Sequence, residues 1–189
     1  LQCRSNIAAI CNRHTHYTSH HDHIRFANAT LIPTFEKPTM QHSVQWHTKH
    51  FDELSATEYH HILAIRTAIF VVEQNCPYQE VDTKDLKSYH VWGIADNKVV
   101  AVTRIVERGI SYPEISIGRV AVDAAYRGSN VGNDLMNTTL QFIEQKLGKQ
   151  PIRISGQEHL TSFYKRFNFE QVSGMYLEDD IPHVEMLRN

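Results

Sequence analysis

Apolar positions along the chain fall into two rhythms, separated by short polar breaks. In FDELSATEYHHILAIRTAIFVVEQ, residues 51–74, Ser55 is followed three positions later by Glu58, the spacing of a capping box. Tyr59, Ile62, Leu63, Ile69 and Phe70 then recur at helical spacing, which predicts a helix. HVWGIAD and KVVAVTRIVE read as two β-rich runs meeting at Asp96-Asn97, a tight hairpin signal. EISIGRVAV reads as a third strand and PIRIS as a fourth. Between them, residues 131–147 place Leu135, Met136, Leu140, Ile143 and Leu147 on one helical stripe. EHLTSFYKRF predicts a short helix, and HVEML a last strand. The order is a helix, antiparallel strands, then strand–helix–strand–helix–strand. It predicts a mixed α/β domain with one right-handed βαβ crossover.

Residues 1–39 break this pattern. They hold no glycine and no sustained apolar period, and five of the thirteen histidines crowd into HTHYTSHHDH. With Leu1 at the start and the first methionine at Met40, the segment reads as a disordered or non-native His-rich extension ahead of a domain over 40–189. The alternative is a metal tract built from Cys3, Cys11 and the histidines. Its spacing matches no paired C-x-x-C zinc motif.

Composition narrows the classes. The 189 residues suffice for one domain with a sizeable core, and 41% hydrophobic with 21% charged residues is ordinary for a globular chain. A net charge of −2 offers no broad basic field for nucleic acid. No apolar run nears the ~20 residues of a membrane helix. Cys3, Cys11 and Cys76 make no disulfide framework, and no secretory signal opens the chain, so a cytoplasmic protein is expected.

The chemistry concentrates in RVAVDAAYRGSNVGNDLM, residues 119–136, where a strand runs through a small loop into a helix. A helix N-terminus offers unpaired N–H groups and the positive end of a dipole. Gly128 and Gly132 clear the approach for an anion, and Arg127 adds a fixed charge with a fork suited to phosphate. The loop fits a phosphorylated ligand, a pyrophosphate above all. Both G-x-G-x-x-G and the P-loop pattern are absent. On spacing alone, a plain strand–helix turn using glycine for backbone freedom accounts for the loop equally well.

Residues 127–132, Arg-Gly-Ser-Asn-Val-Gly, resemble the Q/R-x-x-G-x-G/A coenzyme A signature of the GNAT superfamily of N-acetyltransferases. FVVEQNCPYQEVD, IGRVAV, FYKRFNF and DDIPHVEM resemble the ElaA-like branch of that superfamily, over roughly residues 44–189. One departure is Asn130, where the family pattern has glycine; asparagine is the side chain most tolerant of a left-handed backbone, though it brings bulk near the pyrophosphate.

The resemblance implies a mostly antiparallel central sheet flanked by helices, with acetyl-CoA as co-substrate and a small-molecule or protein amine as acceptor. It implies that the strand holding Val120, Ala121 and Val122 splays from its neighbour and bonds the pantetheine arm. It further implies that Arg127, Gly128, Ser129, Asn130, Val131 and Gly132 hold the pyrophosphate, and that Tyr164 is the general acid. Taken without the resemblance, Phe163, Tyr164 and Phe167 at helical spacing read as core aromatics. Glu73, Glu114, Asp82 and His183 are the candidate bases, with Glu73 and His183 preferred. Cys76 is a candidate nucleophile whose blander role is a small buried residue. The run Glu178-Asp179-Asp180 reads as a lure for a cationic amine or as a solvated face. A non-catalytic acyl-CoA sensor is the alternative function, and a homodimer is left open.

Overall fold

The computed structural model describes residues 43–189. The expectations for residues 1–39 lie outside the described residues. Strand β1 (Gln45–His50) precedes helix α1 (Ala56–Arg66). Ser55 caps α1 as its spacing predicts: its hydroxyl accepts from the Glu58 N–H at 3.2 Å, and Glu58 accepts from the Ser55 N–H at 2.8 Å. Beyond Arg66 the helix continues in wider π-type turns over Thr67–Glu73. Strands β2 (Ser88–Ala95) and β3 (Lys98–Val106) form the expected hairpin. Asp96 and Asn97 take φ of 50° and 59°, the left-handed pair that a two-residue type I′ turn requires.

Strand β4 (Ile115–Val122) leads through the glycine loop into helix α2 (Val131–Phe142), which is extended by a π turn over Ile143–Leu147. Strand β5 (Ile152–Gln157), helix α3 (Thr161–Lys165) and the short strands β6 (Glu170–Gln171) and β7 (Tyr176–Glu178) precede β8 (Ile181–Arg188). The sheet runs β1-β2-β3-β4-β5-β8-β6, with β7 also on β8. Every pairing is antiparallel except β4 with β5, the crossover that α2 provides.

Both α1 and α2 pack on β3, whose residues Val100 to Val106 are all buried, so helices cover both of its faces. The α2 stripe behaves as its period predicts: Leu135, Met136, Leu140 and Ile143 are buried. The α1 stripe differs. Ile62, Ile65 and Ile69 face the core, but between them sits Arg66, only 1% exposed.

Candidate active site

Strands β4 and β5 pair only at Ile115 with Ile152 and at Ser116 with Arg153, and then part. The cause of the divergence lies in β4. Between Arg104↔Gly118 and Val102↔Ala121, β3 advances two residues while β4 advances three, so β4 carries a bulge. Arg119 sits in it at φ 55°, an uncommon backbone for a non-glycine residue and one found mainly where function demands it. Thr103 Oγ1 satisfies the Gly118 carbonyl at 2.9 Å. The opening is a cleft of about 450 Å³. Val120, Gly156 and Gln157 line it from the strands, Tyr164 from α3, and Phe70, Gln74 and Tyr78 from the segment after α1. Ala121 and Val122 continue β4 toward the loop, with buried side chains.

At the end of β4, Asp123 caps a single turn, Ala124–Tyr126, by accepting from the Ala125 N–H at 2.9 Å. Ser129 donates its hydroxyl to the Tyr126 carbonyl at 2.6 Å. Gly128 (φ 79°) and Asn130 (φ 71°) are both left-handed, so the loop has the alternating backbone of an anion-binding nest. The N–H groups of Gly128, Ser129, Asn130 and Val131 have no hydrogen-bond partner among the described residues. Gly132 lies in the first turn of α2. The Asn130 side chain turns back onto α2, donating to Asp134 at 3.1 Å and accepting from Asn133. It is occupied there rather than poised over the loop.

Arg127 departs from the sequence expectation. Its side chain is 5% exposed, and the guanidinium forks onto Glu73 at 2.8 and 2.9 Å, while Nε donates to the Val122 carbonyl at 2.8 Å. Its charge is neutralised by a carboxylate, so the pull on an anion falls to the backbone N–H groups and the α2 dipole. The same pair removes Glu73 from the candidate bases. Glu73 lies off the cleft, on a separate groove beneath α1.

Tyr164 is buried on α3, with its ring pressed against Gly156: a Cβ at Gly156 would stand 2.9 Å from Tyr164 Cε2. Glycine at that position is a condition of the tyrosine's placement. The Tyr164 hydroxyl has no hydrogen-bond partner among the described residues, and burial pushes the phenol above its ordinary value of 10. His183 lines the cleft from β8, in register with Gln157. Its Nδ1 lies 2.8 Å from the Ile181 carbonyl, which can only accept, so Nδ1 carries the proton and Nε2 of the neutral ring is a base. The ring stacks on Tyr176 at 6.2 Å between centroids.

The remaining candidates have other partners, although Cys76, Asp82, Glu178 and Asp179 also line the cleft. Asp82 binds Arg104 at 2.6 and 3.1 Å. Glu114 is chelated by Arg153 at 2.7 and 3.0 Å and does not line the cleft. Cys76 is buried, with Sγ 3.9 Å from the Asp179 carbonyl. Asp179 and Asp180 (φ 49° and 62°) form the tight turn between β7 and β8, and Glu178 accepts from Ser155 Oγ at 2.8 Å.

Sequence reasoning missed a buried ionic network in the cleft wall. Arg66 binds Glu80 and Asp85, Arg104 binds Asp82 and Asp85, and Arg119 binds Glu80. Tyr59 and Tyr78 donate to Asp85 and Glu80. The available signal was Arg66 itself, a charge inside the apolar stripe of α1. Among the described residues no group of side chains could hold a metal ion. No described helix is long and apolar enough to cross a membrane.

A bulged, splayed strand pair running into a nest at a helix N-terminus is the frame of an acyl-CoA N-acyltransferase, and residues 56–188 match the acetyltransferase (GNAT) domain. The chain belongs to that family and, within it, to the ElaA-like proteins. It is 40% identical over 147 residues to protein ElaA of Escherichia coli K12, covering 77% of this chain and 96% of that protein. The crystal structure of E. coli ElaA superposes with a TM-score of 0.74 at 38% identity, over 78% of this chain and 100% of that one. An acyl-CoA N-acyltransferase from Pseudomonas aeruginosa superposes with a TM-score of 0.75 at 40% identity, with the same coverage.

Proposed function

We propose that the protein transfers the acetyl group of acetyl-CoA to an amine by direct attack, with Tyr164 as general acid and His183 as base. The observation that carries this reading is the Tyr164 side chain, buried yet lining the cleft, with a hydroxyl that bonds no protein group among the described residues. A hydroxyl left free of protein partners at the cleft is available to a ligand. The residues fit the co-substrate. The parted edges of β4 and β5 leave a slot for an extended arm, and the N–H groups of residues 128–131 can take its pyrophosphate. As the amine nitrogen bonds to the acyl carbon, His183 Nε2 takes the amine proton. As the carbon–sulfur bond breaks, Tyr164 gives its proton to the departing thiolate. The phenol carries its proton at neutral pH and so has one to give.

Calorimetric titration with acetyl-CoA, followed by turnover over an amine panel, tests the reading. Tyr164→Phe is expected to keep cofactor affinity within about twofold and to lower kcat by about 10²-fold or more. Saturable binding with no turnover of any amine, in wild type and variant alike, would make the protein an acyl-CoA sensor. No binding up to millimolar concentration would leave only the fold in common with the family.

A further inference from the structure

Gln74 is the first residue after the π turns that extend α1, and it lines the cleft. It is 7% exposed. Its Oε1 accepts from Gln157 Nε2 at 3.3 Å, across the mouth of the strand gap. Its own Nε2 is shielded from solvent and has no partner among the described residues. With Gln157 as donor in this pair, the Gln74 amide presents Oε1 to Gln157 and turns Nε2 away from it. A buried N–H2 group left in this state costs its full desolvation, so the site lacks one hydrogen-bond acceptor.

The position of the gap in bonding follows from β5. Gly156 and Gln157 are consecutive, so their side-chain directions point to opposite faces of the sheet. Tyr164 lies against the face toward which a Gly156 Cβ would point. Gln157 reaches from the other face to hold Gln74. Tyr164 and Gln74 therefore flank the same stretch of β5 from opposite sides.

We propose that Gln74 is a further catalytic residue, donating from Nε2 to the acyl oxygen of the thioester on the side of the cleft opposite Tyr164. This rests on the acetyltransferase reading above. The acyl oxygen is the acceptor that acetyl-CoA has and free CoA lacks. Charge gathers on that oxygen as the amine attacks, so the contact strengthens toward the transition state. Gln157 holds the amide in the donating orientation and is a positioning residue.

The test uses the full chain and two ligands, acetyl-CoA and CoA, titrated calorimetrically into wild type and Gln74→Leu. The expected result is an acetyl-CoA affinity lowered about fivefold to tenfold, the worth of one net hydrogen bond, with CoA affinity unchanged. The melting temperature should change little, because leucine removes an unsatisfied buried group while giving up the long bond from Gln157. Gln74→Met, of similar length, should repeat both results. Equal weakening of the two ligands, or a fall in melting temperature with the acetyl-CoA to CoA ratio intact, makes Gln74 structural and overturns the proposal. Failure of wild type to bind either ligand overturns the acetyltransferase reading and this inference with it. Binding of both with no change in either variant overturns this inference alone.

Discussion

Glu73→Gln separates a structural tie from a catalytic base. In the structure Glu73 is the counter-charge of Arg127, and the substitution keeps the shape and one hydrogen bond while removing the charge. Removing one partner of a fully buried pair costs about 3–5 kcal/mol. Arg127 is 5% exposed but Glu73 is 22% exposed, so solvent recovers part of the loss and about 2–3 kcal/mol is expected. For a domain of this size each kcal/mol moves the melting temperature by about 2–4 °C, giving a fall of about 5–10 °C. Because Arg127 also holds the Val122 carbonyl, the loop should loosen and acetyl-CoA affinity should drop severalfold. Thermal melts and calorimetry read both effects. A double-mutant cycle with Arg127→Met should show strong coupling, since the two side chains share one interaction. An unchanged melting temperature with kcat lowered about 10²-fold would refute the argument and restore Glu73 as the base.

Two further substitutions probe the packing around the site. Gly156→Ala should displace the Tyr164 ring, costing about 1–3 kcal/mol in a urea melt and lowering turnover more than acetyl-CoA affinity; wild-type turnover would show that the ring position does not matter. His90 is buried, and burial first, then the Arg66 and Arg104 charges, lowers its pKa from 6.5 to about 4, against the raising effect of its contact with Asp85. The unfolded chain takes up its proton below 6.5 and the folded chain only near 4. Stability is therefore full above 6.5 and falls through that window by on the order of 3 kcal/mol. Urea midpoints of His90→Leu should be flatter than wild type over this range, and equal slopes would exclude His90 as the source.

The chain's rhythms carried most of the architecture because their rules are local. The Ser55 cap, the Asp96-Asn97 hairpin and the α2 stripe each depend on residues a few positions apart, and each forms as its spacing predicts. Strand β1, QWHTKH, went unread because its sequence has no alternation; it belongs to the sheet through pairing with β2. Strands β6 and β7 are too short to carry a period. The left-handed turn into a helix start at the loop was legible because glycine and a helix start are local features. The destination of Arg127 was not, since its partner lies 54 residues away. The same limit hid Gln74, whose significance is a missing partner, something no sequence spacing encodes.

The buried ionic network bears on which groups remain free to act. Burial alone would raise the pKa of Asp85, but the hydrogen bonds and charge of Arg66, then those of Arg104, outweigh it and hold the group at about 2. Asp82 is likewise lowered, burial being outweighed by its bonds to Arg104. These carboxylates stay charged and bonded across the working pH range, so they are poor proton acceptors. Ion pairs this deep return little net stability once desolvation is counted. What they supply is position. Arg66 reaches from α1, Arg104 from β3 and Arg119 from the β4 bulge, and all three converge on residues 80–85. That anchors the C-terminal end of the segment running from Gln74 to Asp85 against the strands that form the gap. Asp82 lines the cleft itself, so its commitment to Arg104 is what sets it apart from His183, whose Nε2 makes no such pair.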